Sequence, residues 1–589
     1  MTVSRRADRG VATANAIVVG VIVVLVAVVA LVVKPPAPPG VAAFAPQASK
    51  TIVKAPPGQA SSNGNGAASC VVGEVCAGTT TTTVPNSSKA LAGALPTTTI
   101  APLIAGVPSS LQCYTWPDGA VTQTFDPESP PCVADWPGEA QGNGGATSPG
   151  VTATSIRVAY PVDDQGYATW PHLAPIVNFF NTHFEFYGRT IQIVPFTSEQ
   201  ANSNGTGGFD SPTEEQADAQ TATTLKVFAA TDFDDPLSES WALPTYLDTL
   251  AAHHIITVSG GEAPPFVSPG ELAAHAPYEW SFYPPIAQLL PNVAAMTCSE
   301  LVGHPAVHSS EFANKTRKFA VLLPDDSLIG GGVPGQSALL SGLAACGVTN
   351  LTVIDYSTSN ETIPGLAAKF AQLKSAGVTS LLYFPWYGEA EPSNPESVAS
   401  TVGYYPEWIA MGWQADSMSL QEAGPKSESG QTFGVADWNK LAPLPELPWY
   451  QSFIDGGGSA EVASGVGGED AGDPFYEEML MLASGIQAAG PDLTPQTFAN
   501  GLDSTIFPNP GADGAPFYQA RVGFAGAANV MVDDYAGFWL DPTATLAQVE
   551  VGEEVGDDVY DALCYADMGG RWAIGTWPST ESFYRGACR

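Results

Sequence analysis

From Ser155 onward, short runs of β-branched and aromatic residues recur at intervals of about 30 residues, helical stretches lie between them, and the whole series occurs twice. The first series runs through Ser155–Tyr160, Thr190–Val194, Lys226–Ala230 and His254–Val258, with a helix candidate around Ile176 to Phe180. The second runs through Lys318–Leu323, Leu351–Ile354, Ser380–Phe384 and Trp408–Met411, with helical stretches at Gly335–Ala345 and Thr362–Ala376. Strands joined through helices pair in parallel, so the pattern predicts an α/β fold with two doubly wound parallel sheets. The stretch from Val151 holds about 440 residues, more than one compact core accommodates, which also predicts two lobes. Such sheets bind ligands at the carboxyl ends of their strands, and two facing lobes would set those ends across a cleft.

The N-terminus predicts a different environment. Residues 16–33 are apolar apart from Gly20 and carry no charge. At about 1.5 Å per residue a helix of that length spans ~27 Å, close to the hydrocarbon thickness of a bilayer. Arg5, Arg6 and Arg9 precede the run and only Lys34 follows closely, which predicts a cytoplasmic tail at 1–15, a signal-anchor helix at 16–33 and an outside location for the rest. A cleaved signal peptide ending near Ala43-Phe44-Ala45 is the alternative, and the product would then be secreted. Residues 34–149 are rich in Pro, Ala, Gly, Ser and Thr, with uniform runs at Thr79–Thr83 and Thr97–Thr99, and show no periodicity that would bury a core. They predict a stalk whose ends, as a flexible coil of ~115 residues, sit ~60 Å apart. A small aromatic knot is expected within it around Cys113, Trp116, Cys132 and Trp136.

Charge and cysteine content agree with export. The chain holds 59 Asp and Glu against 21 Lys and Arg, a formal net charge of −38, and such a field repels phosphate backbones and excludes nucleic acid as a partner. Eight cysteines in an oxidising compartment predict disulfides, and 105 connectivities are open to them. Pairing by proximity gives Cys70–Cys76, Cys113–Cys132, Cys298–Cys346 and Cys564–Cys588. A structural zinc site is disfavoured because the sequence contains no C-x2-C pair.

Catalytic patterns do not assemble. Gly330 to Gly335 fits G-x-G-x-x-G, but six residues separate Leu323 from the first glycine, and Asp325 and Asp326 among them would repel a pyrophosphate. His304 and His308 are four apart near Glu311, yet Pro305 between them disfavours one helix presenting both rings. His253 and His254 open a strand, which would send them to opposite faces. G-x-S-x-G, H-E-x-x-H and a Walker A loop are absent from the sequence. The expectation is a protein without catalytic residues, metal or cofactor.

Several segments, in order, resemble the branched-chain amino acid (Leu/Ile/Val) substrate-binding proteins of ABC transporters, a type I periplasmic-type solute-binding family. They are Thr154-Ser-Ile-Arg-Val-Ala-Tyr160 with the loop Asp163-Asp-Gln-Gly166, then Tyr187-Gly-Arg-Thr-Ile-Gln-Ile193 and Ile255-Ile-Thr-Val-Ser-Gly260. Phe319-Ala-Val-Leu-Leu-Pro-Asp-Asp326, Pro406-Glu-Trp-Ile-Ala-Met-Gly412, and Tyr476–Gly490 before Asp492-Leu-Thr-Pro495 complete the set. The resemblance spans some 340 residues and implies a chain that crosses between lobes three times. It places a two-lobed domain at 151–560, lobe one at about 151–279 and 430–525, lobe two at about 280–429 and 526–560, and a disulfide-stapled clasp at 561–589.

It also implies where a ligand is held. Strand-end hydroxyls and backbone amides in that family take a carboxylate, which points to Ser259 and Gly260 with the neighbouring loop of Asp163, Gln165 and Tyr167. The second lobe would contribute Trp386, Tyr387 and Glu389 from one loop and Trp413, Gln414 and Asp416 from another. The chain departs from the family where the amino-acid binders carry an acidic residue after Met-Gly, since Trp413-Gln414 stands there, and where Ile329 replaces an aromatic before Gly330. Tryptophan and tyrosine at strand ends suit a larger ligand with a planar or apolar face. Delivery of a small solute to an ABC-type importer permease is the expected role, and a ligand sensor or adhesion receptor on the same fold is the alternative.

Overall fold

The computed structural model describes residues 113–138, 142–162, 166–198, 212–231, 244–259, 268–324, 333–356, 362–384, 395–412, 430–437, 447–460, 472–510, 520–524, 529–542, 562–565 and 571–577. Residues 16–33 and Cys70 and Cys76 lie outside them. Among the described residues no helix is long and apolar enough to cross a membrane.

Lobe one is built on a parallel sheet of β3 (Ser155–Val162), β4 (Thr190–Thr197), β5 (Ala229–Thr231), β6 (Ile256–Ser259) and β7 (Glu279–Ser281), in the order β4-β3-β5-β6-β7. Helices α1 (Gly166–His183), α2 (Pro212–Thr224), α3 (Pro244–Ala252) and α4 (Pro269–His275) alternate with the strands. Strand β3 is buried at almost every position, as a strand covered on both faces must be. A capping box of Ser268 and Glu271 starts α4.

Lobe two begins with α5 (Ile286–Met296). Its sheet contains β8 (Phe319–Pro324), β9 (Thr352–Tyr356), β10 (Ser380–Tyr383), β11 (Glu407–Met411) and β12 (Thr432–Ala436), all parallel. Helices α6 (Gln336–Ala345), α7 (Ile363–Ala376) and α8 (Pro395–Thr401) connect them. Thr362 caps α7 through the Gly365 amide, and Gly377 ends it in the left-handed region at φ 72°. The chain returns to lobe one as α9 (Pro448–Asp455), α10 (Asp473–Ala489) and α11 (Pro495–Ser504). Helix α10 is buried along most of its length in the lobe-one core among Phe179, Phe180, Trp449 and Phe498. The last crossing leads to β13 (Asp534–Asp541), antiparallel to β12, with β14 (Ala562–Tyr565) and β15 (Arg571–Ala573) paired to its other edge.

Four boundaries differ from the sequence reading. Trp280 and Phe282 pack in the lobe-one core, so the first crossing starts after them rather than at 280. Strand β12 pairs with β11, so the second crossing follows Ala436 rather than preceding 430. Val530, Met531 and Val532 still belong to lobe one, and the third crossing therefore falls near Asp533 rather than at 526. Ala562–Tyr565 and Arg571–Ala573 are strands of the lobe-two sheet, not part of a separate clasp. Core packing decides the first and third and strand pairing the other two, and no local pattern encodes either.

The stalk also ends earlier than composition implied. Residues 113–138 and 142–150 pack on lobe one, with Thr122, Gln123, Thr124, Asp126, Glu128 and Ser129 buried. A small hairpin of β1 (Tyr114–Thr115) and β2 (Val121–Thr122) is closed by Cys113–Cys132. Gln123 accepts from Gln487, Trp136 N donates to Glu185, and Asn143 donates to the carbonyls of Ala153 and Tyr187. Polar groups carry this docking, so hydrophobic periodicity gave no sign of it. Cys298–Cys346 joins the turn after α5 to the end of α6. Cys564 is disulfide-bonded, and Cys588 lies outside the described residues.

Candidate functional site

The three crossings fix where the two sheets approach each other. The first leaves the carboxyl end of β7 and reaches α5 within four residues, through Phe282, Tyr283, Pro284 and Pro285. The second leaves the carboxyl end of β12, and β13 begins beside that same end, since Ala436 pairs with Ala536. First and third crossings are bonded together: Met531 N donates to Ser281 O at 2.9 Å and Val532 N to Phe282 O at 2.8 Å. The carboxyl edges of both sheets therefore converge on one hinge, the geometry of a cleft between lobes.

On the lobe-one edge, Ser259 is the last residue of β6, buried, and its carbonyl accepts from Phe282 N at 2.8 Å. Ser259 thus sits at the edge where the sequence placed it. Beside it Thr231 ends β5 with its hydroxyl fully buried and without a hydrogen-bond partner among the described residues, while its carbonyl accepts from Tyr246 OH at 3.2 Å. Register aligns Thr231 with Val258, so alternation sends the Thr231 and Ser259 hydroxyls to opposite faces and they bracket the edge. The sequence reading missed Thr231; the signal available was a hydroxyl closing an otherwise apolar strand. Ser198, just beyond β4, donates to Asp218 at 2.5 Å. Gly166 and Tyr167 open α1, so Tyr167 belongs to a helix rather than a loop. The Tyr167 side chain and Asp163, Gln165, Gly260, Trp386, Tyr387, Glu389, Trp413, Gln414 and Asp416 lie outside the described residues.

On the lobe-two edge, β11 ends at Met411 and is followed by Gly412, whose φ of 95° and close approach to Leu289 and Ile286 leave no room for a side chain. That contact packs the strand end against the first helix after the hinge. Tyr383 ends β10 and donates at 2.6 Å to Glu396 Oε1 in α8. Glu396 Oε2 is buried without a partner, and burial pushes the Glu396 carboxyl above the ordinary range despite the Tyr383 bond. Glu396 is a second residue the sequence reading did not single out.

The remaining titratable clusters stand away from these edges. At the amino end of β7, His275 lies between Asp248, at 2.8 Å, and Glu279, in a close contact. Burial pushes Glu279 up to about 7 while the imidazole pulls the other way, and the carboxylates of Glu279, Asp248 and Glu271 hold His275 above its usual range against its own burial. His308 is half-buried rather than a surface group, packs its ring tilted against Phe433, and is held below its usual range by burial. Among the described residues no group of three or more His, Cys, Asp or Glu is placed to hold a metal ion.

Two doubly wound lobes, three crossings and convergent carboxyl edges make up the fold of the type I periplasmic-type solute-binding proteins. The chain is similar to a leucine-, isoleucine-, valine-, threonine- and alanine-binding protein from Brucella ovis in its closed conformation, at 11% identity over 73% of this chain and 98% of that one, with a TM-score of 0.47. It is likewise similar to an ABC-transporter substrate-binding protein from Aeropyrum pernix, at 12% identity over 73% and 97% of the two chains, with a TM-score of 0.45. A solute-binding protein from Rhodopseudomonas palustris in complex with 3,4-dihydroxybenzoic acid is 9% identical over 71% and 98%, with a TM-score of 0.45. No protein-family model and no curated protein matches the chain.

Proposed function

We propose that the chain binds a small solute between its two lobes, outside the cell, and delivers it to an ABC-type importer. The observation that carries this reading is the unbonded Thr231 hydroxyl beside Ser259, at a strand edge that meets its counterpart across a shared hinge. A buried hydroxyl without a partner costs stability, and a ligand oxygen or nitrogen would satisfy it. Trp386, Tyr387, Trp413 and Gln414 follow the carboxyl ends of β10 and β11 in sequence and are proposed as the facing wall, with Asp163, Gln165, Tyr167 and Gly260 beside Ser259. Aromatic groups in that wall favour a ligand with a planar or apolar face.

The apolar run at 16–33 supports tethering to the membrane with the N-terminus inside, and residues 34–112 are proposed as the stalk. Full-length protein should then stay with membranes through a carbonate wash, whereas a soluble product starting near Ala45 would replace the anchor with a cleaved signal.

A melting screen of the full chain against amino acids, amides, sugars and aromatic acids tests the binding reading. A ligand at a hundred times its dissociation constant stabilises by ~2.7 kcal/mol, a readily measured shift. No shift from any class, together with unchanged tryptophan fluorescence, would remove the reading.

A further inference from the structure

We infer that the Cys113–Cys132 segment is a positioning element for the hinge, acting through two parallel hydrogen-bonded chains. The inference rests on the reading of the two lobes as a closing cleft. In the first chain, Tyr476 OH donates to Asp126 Oδ2 at 2.6 Å. The next residue on α10, Glu477, accepts from Tyr283 OH at 2.5 Å, and Tyr283 lies in the first crossing. Neighbouring helical positions point about 100° apart, so one turn of α10 faces the knot with Tyr476 and the hinge with Glu477. In the second chain, Glu128 Oε1 accepts from Ala520 N at 2.8 Å. The next residue, Arg521, donates its amide to Asp534 Oδ2 at 3.1 Å, and Asp534 ends the third crossing.

The two chains start from one rigid point. Glu128 N donates to Asp126 Oδ1 at 2.8 Å, and both carboxylates are buried. They also finish on one structure, because the first and third crossings are bonded together at Ser281–Met531 and Phe282–Val532. The knot thus grips two of the three hinge strands, the first and third crossings, through intermediates only one residue long. A segment needed only to cover α10 would have no reason to reach both crossings. Displacing the knot shifts Tyr476 and Ala520, and their neighbours carry that shift to Tyr283 and Asp534. By reciprocity, hinge motion loads the knot.

Amide hydrogen exchange on the full chain without ligand tests this, together with distances between spin labels at exposed Thr224 in lobe one and Ala345 in lobe two. Tyr476→Phe keeps the ring and removes the bond to Asp126. Exchange at residues 281–283 and 530–534 is expected to rise at least about fivefold, and the interlobe distance distribution to broaden, while β3 and β10 keep their protection. Tyr283→Phe, at the other end, should raise exchange at residues 122–129. A folded Tyr476→Phe protein with unchanged hinge exchange, or with exchange raised evenly through lobe one, would overturn the inference. If that variant does not fold, unchanged exchange at 122–129 in Tyr283→Phe overturns it equally. Neither measurement uses a ligand, so an empty melting screen would remove the binding reading and leave the hinge result standing.

Discussion

Arg571 Nε lies 2.8 Å from Asp534 Oδ1, and the two side chains are only 7% and 4% exposed. The same guanidinium donates through Nη2 to the carbonyl of Asp437 at 2.7 Å. Asp437 begins the second crossing and Asp534 ends the third, so one arginine from β15 joins two of the three hinge strands. Truncating one partner of a buried ion pair leaves the other charge uncompensated and costs about 3–5 kcal/mol. Arg571→Ala should therefore lower stability by that order in urea unfolding. Asp534→Asn, which keeps an acceptor for Arg521 N, should cost less. Equal and negligible losses would show the pair to be dispensable.

Buried carboxylates set the pH profile. Burial pushes Asp126 up to about 6, against the bonds from Tyr476 and Glu128, and pushes Glu215 up to about 7, against the amides of Thr245 and Tyr246. Both folded-state values lie above those of an unfolded chain, so the native state binds more protons between about pH 4 and 7. The stabilisation is complete below about pH 4 and is lost as pH rises through 6 and 7. For Asp126 the loss amounts to about 3 kcal/mol. Denaturation between pH 4 and 8 should show stability falling with pH, and Asp126→Asn should flatten the lower part of that fall. A profile rising over the same range would contradict the assignment.

The strands of both sheets were legible because parallel strands buried on two faces read as near-continuous apolar runs, as Ser155–Val162 and Phe319–Pro324 do. The place of Ser259 at a strand end was legible through the resemblance to the branched-chain amino acid binders, which puts a hydroxyl there. The lobe to which β12 belongs was not, since Thr432–Ala436 would suit either sheet and only its bond to β11 decides. Residues 113–150 read as a stalk because Gln123, Asp126 and Glu128 are polar. Their burial depends on partners at Gln487, Tyr476 and Ala520, 350 or more residues away. Glu396 escaped notice because what marks it is an unbonded atom, which exists only in three dimensions, whereas Thr231 closes an apolar strand with a hydroxyl, a signal no stronger than many others in the chain.

The Cys298–Cys346 disulfide closes a loop with a sequence separation of 48 and ties the end of α5 to the end of α6. Loop-closure entropy for that length corresponds to about 4 kcal/mol at 25 °C. Replacing both cysteines with serine should lower stability by up to that amount, with lobe two losing exchange protection before lobe one. Non-reducing peptide mapping should recover the Cys298–Cys346 and Cys113–Cys132 links directly. Recovery of free thiols at these four positions would contradict the structure.

Thr231 and Ser259 separate stability from binding. The Thr231 hydroxyl is buried and unbonded, so Thr231→Val removes an unsatisfied polar group while keeping nearly the same shape. The ligand-free variant should be more stable than the parent by about 1 kcal/mol. If the hydroxyl meets the solute, the same substitution should weaken binding by a similar amount, so that ligand-induced stabilisation shrinks although the free protein has become firmer. Ser259→Ala is expected to weaken binding without the gain, because Ser259 holds its place through its carbonyl and Phe282 N. The two variants are compared by melting with and without whichever screened compound gives the largest shift. Opposite movement of free stability and ligand shift in Thr231→Val identifies a hydroxyl kept for binding. A variant that gains stability and retains the full ligand shift would show that Thr231 takes no part in the site, and Ser259 alone would then carry the lobe-one edge.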